Sequence, residues 1–288
     1  MNKINIHSKD PVLFREAIDY TAAETGFNPR LVEKDYFASF ILEYITSHSS
    51  ELTFKGGTCL SKVYVEFYRL SEDLDFSISI SPDASRTARS KKIAPAKKHI
   101  NKIAEKLKDI EIETELTGHN ESTQYIAVLS YKSVLSSRSQ KIKVEIGLRE
   151  ELLLEPERRE AKALLLDPIK EKRLNSPIKI EALSFIELTA EKLRAALTRR
   201  EPAIRDYFDI DYIVEAGKLK LENREVIELL NKKLSVPGTG NIGISKDKFK
   251  ELERQLATEL KPVLRRTDFN RFDLKRAFET ISQIKAKL

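Results

Sequence analysis

Residues 54–76 read FKGGTCLSKVYVEFYRLSEDLDF and place a Gly-Gly-Thr turn shortly ahead of an Asp-Leu-Asp triplet at positions 73–75. Side chains on a strand repeat every two residues, so Asp73 and Asp75 share one face and repel each other there. The alternation continues through DLDFSISIS, with Leu74, Phe76, Ile78 and Ile80 on one side and Asp73, Asp75, Ser77 and Ser79 on the other. That pattern predicts a half-buried strand. Just upstream, LTFKGG reads as a short strand ending in a turn, and Thr58 as the N-cap of a helix over CLSKVYVEFY. The glycine pair is therefore expected at a strand-to-helix junction.

Working outward, Asp10-Pro11 and Asn28-Pro29 are cap and first-turn pairs that open two helices ahead of the first strand. A basic helix is predicted to follow Pro95, with Lys97, Lys98, Lys102 and Lys106 set among Ile100, Ile103 and Leu107. Further strands are expected at IEIETEL, YIAVLSY and KIKVEIGL. In the last of these, Ile142, Val144 and Ile146 oppose Lys141, Lys143 and Glu145. From about Phe185 the pattern is helical to the end, interrupted by the turn-rich SVPGTGNIGIS. The expected architecture is α+β and bilobed. A mixed sheet core flanked by helices would occupy residues 1–175, and a mostly helical lobe residues 176–288.

Composition sets the outer limits. The chain of 288 residues is 41% hydrophobic and 33% charged, enough apolar material for a folded core. No stretch reads as a membrane span. The opening MNKINIHSKDPVLF lacks the basic patch and apolar run of a signal peptide, so a cytoplasmic protein is expected. Cys59 is the single cysteine, which excludes an internal disulfide and any thiolate-rich metal site. The net charge of +6 favours a polyanionic partner, because Lys and Arg neutralise phosphates. Four scattered histidines give no metal-ligand spacing, and neither a P-loop nor a G-x-G-x-x-G fingerprint occurs.

The chemistry concentrates in the acids and the turn. Paired carboxylates on one face become useful when divalent cations sit between them, since Mg²⁺ takes hard oxygen ligands and bridges to phosphates. Glu145, on the polar face of a later strand, can join Asp73 and Asp75 if the two strands are neighbours. Glycines at 56 and 57 let the backbone approach a phosphate chain, and amides at a helix start attract anions. Turn plus acids thus describe a site for a metal-bound nucleoside triphosphate. In FIELTAEKLRAALTRR, Ile186, Ala190, Leu193 and Leu197 form an apolar stripe. Lys192 and Arg199 lie off it and can reach phosphates, while Glu187 and Glu191 read as surface charges. Beyond, Arg205 and Asp209 are spaced to pair on a helix, and Asp206 has no evident partner. Two other readings stay open: a metal-dependent nuclease using the same acids, and a non-catalytic RNA- or partner-binding protein using the basic helix.

Taken in order, VEKDYF, FKGGTCLSKVY, RLSEDLDF, the Lys143-Val144-Glu145 triplet, LTAEKLRAALTRR and RDYFD resemble the AbiEii family of nucleotidyltransferase toxins, with the related MenT toxins of mycobacteria. The resemblance covers roughly residues 33–213, and beyond about Lys218 the chain matches only as generic helices. It implies a DNA polymerase β-like nucleotidyltransferase fold in which Asp73, Asp75 and Glu145 bind Mg²⁺ or Mn²⁺. It also implies an NTP substrate near Gly56, Gly57, Thr58 and Lys62. Lys192, Arg199, Arg205, Asp206 and Asp209 would support nucleotide binding and catalysis, Lys192 and Asp206 taking catalytic parts. RNA, in particular the tRNA 3′ end, is the implied acceptor, and a separately encoded antitoxin the implied partner. Two positions depart from the pattern. Cys59 stands where a small hydroxyl residue or alanine is expected, which would alter phosphate contacts, and Glu145 stands in place of Asp.

Overall fold

A computed structural model describes residues 5–136, 138–220 and 223–288. The chain divides into two compact units: residues 1–152 with 156–182, and residues 153–155 with 183–288. In the first unit, helices α1 (Ile6–Lys9), α2 (Pro11–Thr25) and α3 (Pro29–His48) precede the sheet. Asp10 and Asn28 cap α2 and α3 as expected, accepting from the amides of Leu13 and Arg30 at 2.9 Å.

The strands are β1 (Thr53–Lys55), β2 (Leu74–Ser77), β3 (Glu111–His119), β4 (Gln124–Lys132), β5 (Ser139–Gly147), β6 (Glu157–Ala161) and β7 (Ile178–Ala182). They form a mixed sheet of order β3-β4-β5-β2-β1-β7-β6. β2 therefore lies centrally, antiparallel to β1 and parallel to β5. Its apolar side chains, Leu74 and Phe76, are buried with Phe54, Val144 and Ile146 from the flanking strands. α3 packs against β5 and β7, giving the sheet its covered face.

Three expectations need correction. β6 and β7 were not expected: the first is the charged ERREA, and the second, IKIEA, falls at the head of the stretch assigned to the mostly helical lobe, ahead of the helix expected from Phe185. Both are short, and β7 is recruited by its parallel pairing with β1 at Phe54 and Ala182. The basic helix does not begin at Pro95. Helix α5 runs from Arg86 to Ile100 with Pro95 inside it, because Ser85 caps it through the Ala88 amide. Pro95 is exposed there, so the carbonyl its ring leaves without an amide can face water. The helix after the glycine pair starts at Gly56 rather than Cys59, as α4 (Gly56–Cys59), and widens over Leu60–Tyr64 into a turn closed by Val65 N–H on Leu60 C=O at 3.0 Å. Glu66 and Phe67 then adopt left-handed φ of 46° and 56°, which ends the helix and turns Phe67, Tyr68 and Leu70 inward.

A short helix α6 (Ile103–Lys106) completes the first unit. The second unit is helical among its described residues: α7 (Phe185–Thr198), α8 (Ile204–Glu215), α9 (Arg224–Leu234), α10 (Lys246–Gln255), α11 (Arg266–Arg271) and α12 (Leu274–Lys285). α7 packs against α8, α9 and α12 through Leu188, Leu193 and Leu197. Glu187, expected on the surface, is buried there. Its carboxylate accepts from the amides of Leu153 and Leu154 and lies 2.7 Å from the fully buried ammonium of Lys233, which also meets Glu191 at 3.2 Å. An ion pair of this kind hides in an amphipathic pattern, since only the fold shows that the polar face of α7 is covered.

Candidate active site

Strand register builds the site. Asp75 on β2 sits opposite Glu145 on β5 and opposite Lys55 on β1. The sheet thus brings together the acids that the sequence could only place on separate strands. Burial, reinforced by the charges of Glu145 and Asp73, pushes the Asp75 carboxyl up to about 6. The Lys143 ammonium lies 3.1 Å from Glu145 and 3.8 Å from Asp73, and these acids hold its proton more tightly than usual despite partial burial. Gln124 donates to the other Glu145 oxygen at 2.7 Å.

The turn abuts the acids directly. Gly56 has φ of 75°, and a Cβ there would lie 2.8 Å from the Asp75 Cβ and overlap its carboxylate. Thr58, expected to cap the helix, instead lies inside it and donates its hydroxyl to the Asp73 carbonyl oxygen. That bond ties the turn to the residue just before β2. Behind Gly57 lies the guanidinium of Arg69, which a Cβ would strike. Gly56→Ala is expected to lower stability by at least about 2 kcal/mol, from the left-handed φ and the overlap together. A thermal melt beside the parent chain checks this, and an unchanged midpoint would show that the turn can relax away from Asp75.

Lys62 does not reach this site. Its ammonium is buried 2.6 Å from Asp35 Oδ1 and 2.8 Å from Ser39 Oγ on α3, and burial lowers its pKa. The other Asp35 oxygen accepts from the Leu164 amide at 3.1 Å. Lys62 therefore anchors the segment after the turn to α3 and is withdrawn from the nucleotide-contacting set. Glu33, from the same VEKDYF stretch, accepts from the Ser133 hydroxyl and the Val134 amide at 2.7 Å and joins α3 to the β4–β5 connection. Cys59 is buried, which pushes its thiol well up and keeps it away from any phosphate at the turn.

The second unit holds its own ion cluster. Lys192 on α7 lies 2.8 Å from Asp206 and 2.9 Å from Asp209, both buried on α8, and Arg199 lies 3.0 Å from Asp206. Asp206 thus has two cationic partners where the sequence offered none. The cation beside Asp209 is Lys192, not the Arg205 that helical spacing suggested. Arg205 is half-buried in the first turn of α8.

Sequence reasoning missed Lys143 and Gln124 as members of the carboxylate group. Lys143 was legible, being two residues before Glu145 on the same strand face. Gln124 was not, because only the antiparallel β4–β5 register carries it there.

The fold is that of a nucleotidyltransferase. MenT4, a nucleotidyltransferase toxin of Mycobacterium tuberculosis H37Rv, superposes with a TM-score of 0.57 at 16% identity, over 94% of this chain and 98% of its own. JHP933 of Helicobacter pylori gives a TM-score of 0.48 at 14% identity, over 90% and 92%. No curated protein matches the chain. The family model of the nucleotidyl transferase AbiEii toxins of type IV toxin–antitoxin systems matches residues 41–283, and the chain belongs to that family. The match extends far beyond Lys218, so the last helices are part of the family's domain and not generic additions. Among the described residues, no helix is long and apolar enough to cross a membrane.

Proposed function

We propose that the chain transfers a nucleoside monophosphate from an NTP to the 3′ end of an RNA, with tRNA as the acceptor, and thereby blocks translation and growth in the cytoplasm. The observation that carries this reading is the direct contact of Gly56 with Asp75 beside Glu145. A phosphate-approaching turn and a repelling acid group share one place. A hydrolase cutting RNA with water would need the acids but leaves the turn without a task.

Among the described residues, no three His, Cys, Asp or Glu side chains close into a preformed metal cage. The donor chemistry nevertheless fits a hard cation. The acids are all-oxygen, Asp75 is driven toward protonation by burial and then by Glu145 and Asp73, and a cation, Lys143, already sits between two of them. Asp73, Asp75 and Glu145 would hold Mg²⁺ or Mn²⁺, which when bound offsets charge on the phosphates and the attacking oxygen.

In the reaction the RNA 3′-hydroxyl oxygen bonds to the α-phosphorus, the bond from that phosphorus to pyrophosphate breaks, and the hydroxyl proton passes to the carboxylate group. Glu145 is the member assigned to help take it up, Asp73 and Asp75 being the acids assigned to hold the cations. The Gly56 and Gly57 backbone receives the triphosphate, and Lys143 offers a mobile counter-charge as pyrophosphate leaves. Lys192, Arg199, Arg205, Asp206 and Asp209 are assigned to nucleotide support on the family resemblance. A separately encoded antitoxin is the expected partner.

The test is label transfer: protein, Mg²⁺, total tRNA and each α-labelled NTP in turn, beside an Asp73→Asn, Asp75→Asn control. Label entering tRNA with the parent chain alone supports the reading. Shortening of the RNA without any NTP would replace it by the hydrolase.

A further inference from the structure

The chain's positive charge is concentrated in one place. Residues 86–108 carry nine Lys and Arg against one acid, Glu105, a net of +8; with the whole chain at +6, the remaining residues together carry −2. α5 itself contains no acid. Its inner face is Ile93, Ala96, Ile100 and Arg89, and the Arg89 guanidinium is spent on the carbonyls of Leu148 at 3.1 Å and Pro82 at 2.6 Å. Lys92 likewise donates to the Ser79 carbonyl at 2.7 Å. Arg86, Lys91, Lys98, Lys102, Lys106 and Lys108 are exposed, and among the described residues none of the six makes an ion pair or side-chain hydrogen bond. A merely solvated helix mixes signs at i, i+4 and gains from it. Here like charges are held together without compensation, although exposed lysines elsewhere find acids, as Lys141 finds Glu113.

We infer that the outer face of α5 and α6 is a docking surface for the phosphate backbone of the RNA acceptor, remote in sequence from the turn and the carboxylates. The inference rests on the proposed reading of an RNA acceptor and adds where the RNA body is gripped. Backbone contacts position a nucleic acid without reading its sequence, and released counterions supply the free energy. α5, at 15 residues, is about 22 Å long, enough to follow several successive phosphates. An acidic protein partner fits less well. The exposed residues of α5 are Lys, Arg, Ser, Thr, Ala and Pro, with no aromatic anchor of the kind that centres a protein interface.

The experiment uses the full chain with Lys91→Glu, Lys98→Glu, Lys102→Glu and Lys106→Glu combined, beside Lys246→Glu with Lys250→Glu on α10 as an equally exposed control. Affinity for total tRNA is measured across a salt series, and nucleotide transfer to a short single-stranded oligonucleotide acceptor is measured in parallel. The fourfold variant is expected to melt like the parent and to bind tRNA at least about 100-fold more weakly at low salt. Its log-affinity slope against log salt should flatten by about 3, near 0.7 per lost phosphate contact, while the control pair leaves both unchanged. Transfer to the short acceptor should persist. Unchanged tRNA affinity and slope overturn the inference, whether the face then proves to be solvated or a protein's docking site. If the parent binds tRNA through this face yet transfers no nucleotide to any acceptor, the docking surface stands and the proposed reaction falls.

Discussion

Asp75→Asn is expected to make the metal-free chain more stable at pH 7.5 and to abolish the proposed nucleotide transfer. Asp75 binds its proton near 6 in the folded chain and near the ordinary 3.8 when unfolded. Between those values the folded chain holds more proton, so its stability falls as pH rises through the window, and above about pH 6 the ionised carboxylate opposes folding. A raised pKa of roughly two units corresponds to at most about 3 kcal/mol. Asn keeps the shape and removes the charge that burial, Glu145 and Asp73 disfavour. In chelator, the variant's melting midpoint is expected roughly 5 °C above the parent's at pH 7.5, and the gap should close by pH 4. With NTP and Mg²⁺ restored, the rate should drop by about 10³ or more, the loss of several kcal/mol of transition-state charge stabilisation. A variant no more stable than the parent at pH 7.5 would mean that Lys143 and Lys55 already balance the acid group. A more stable variant would mean that stability is given up at this position for the proposed chemistry.

Asp35→Ala is the most damaging single change expected outside the site. It strands the Lys62 ammonium in the interior, leaves the Leu164 amide unpaired, and removes the tie between α3 and the segment following the Gly-Gly turn. Breaking one member of a buried pair costs about 3–5 kcal/mol, a large share of the 5–15 kcal/mol that holds a typical domain together. Chemical denaturation read by far-ultraviolet circular dichroism measures it. Asp35→Leu combined with Lys62→Met, which removes both charges and keeps apolar volume, should recover most of the loss. If the double variant is no better than Asp35→Ala, the pair contributes shape that apolar groups cannot reproduce.

The central strands were legible because their apolar side chains alternate with charged ones and are more deeply buried than them. In β2 and β5 the alternation of Leu74 and Phe76 with Asp73 and Asp75, and of Ile142, Val144 and Ile146 with Lys143 and Glu145, follows directly from that asymmetry. The helix caps Asp10 and Asn28 were equally local, each satisfied by an amide two or three residues away. β6 escaped because ERREA carries no apolar alternation, whereas β7, IKIEA, does alternate, with Ile178, Ile180 and Ala182 buried, but is only five residues long and pairs with β1 through a parallel contact distant in sequence.

The amino-acid order by itself determined the strand faces, the position of the glycine turn and the membership of Asp73, Asp75 and Glu145 in one chemical class, since each depends on residue type and short spacing. Tertiary structure decided what the charges do. It set Asp75 against Glu145 and Gly56, gave Asp206 and Asp209 to Lys192, and withdrew Lys62 and Glu187 into the interior. Charge partnership depends on register and burial between distant segments, and a linear pattern contains neither.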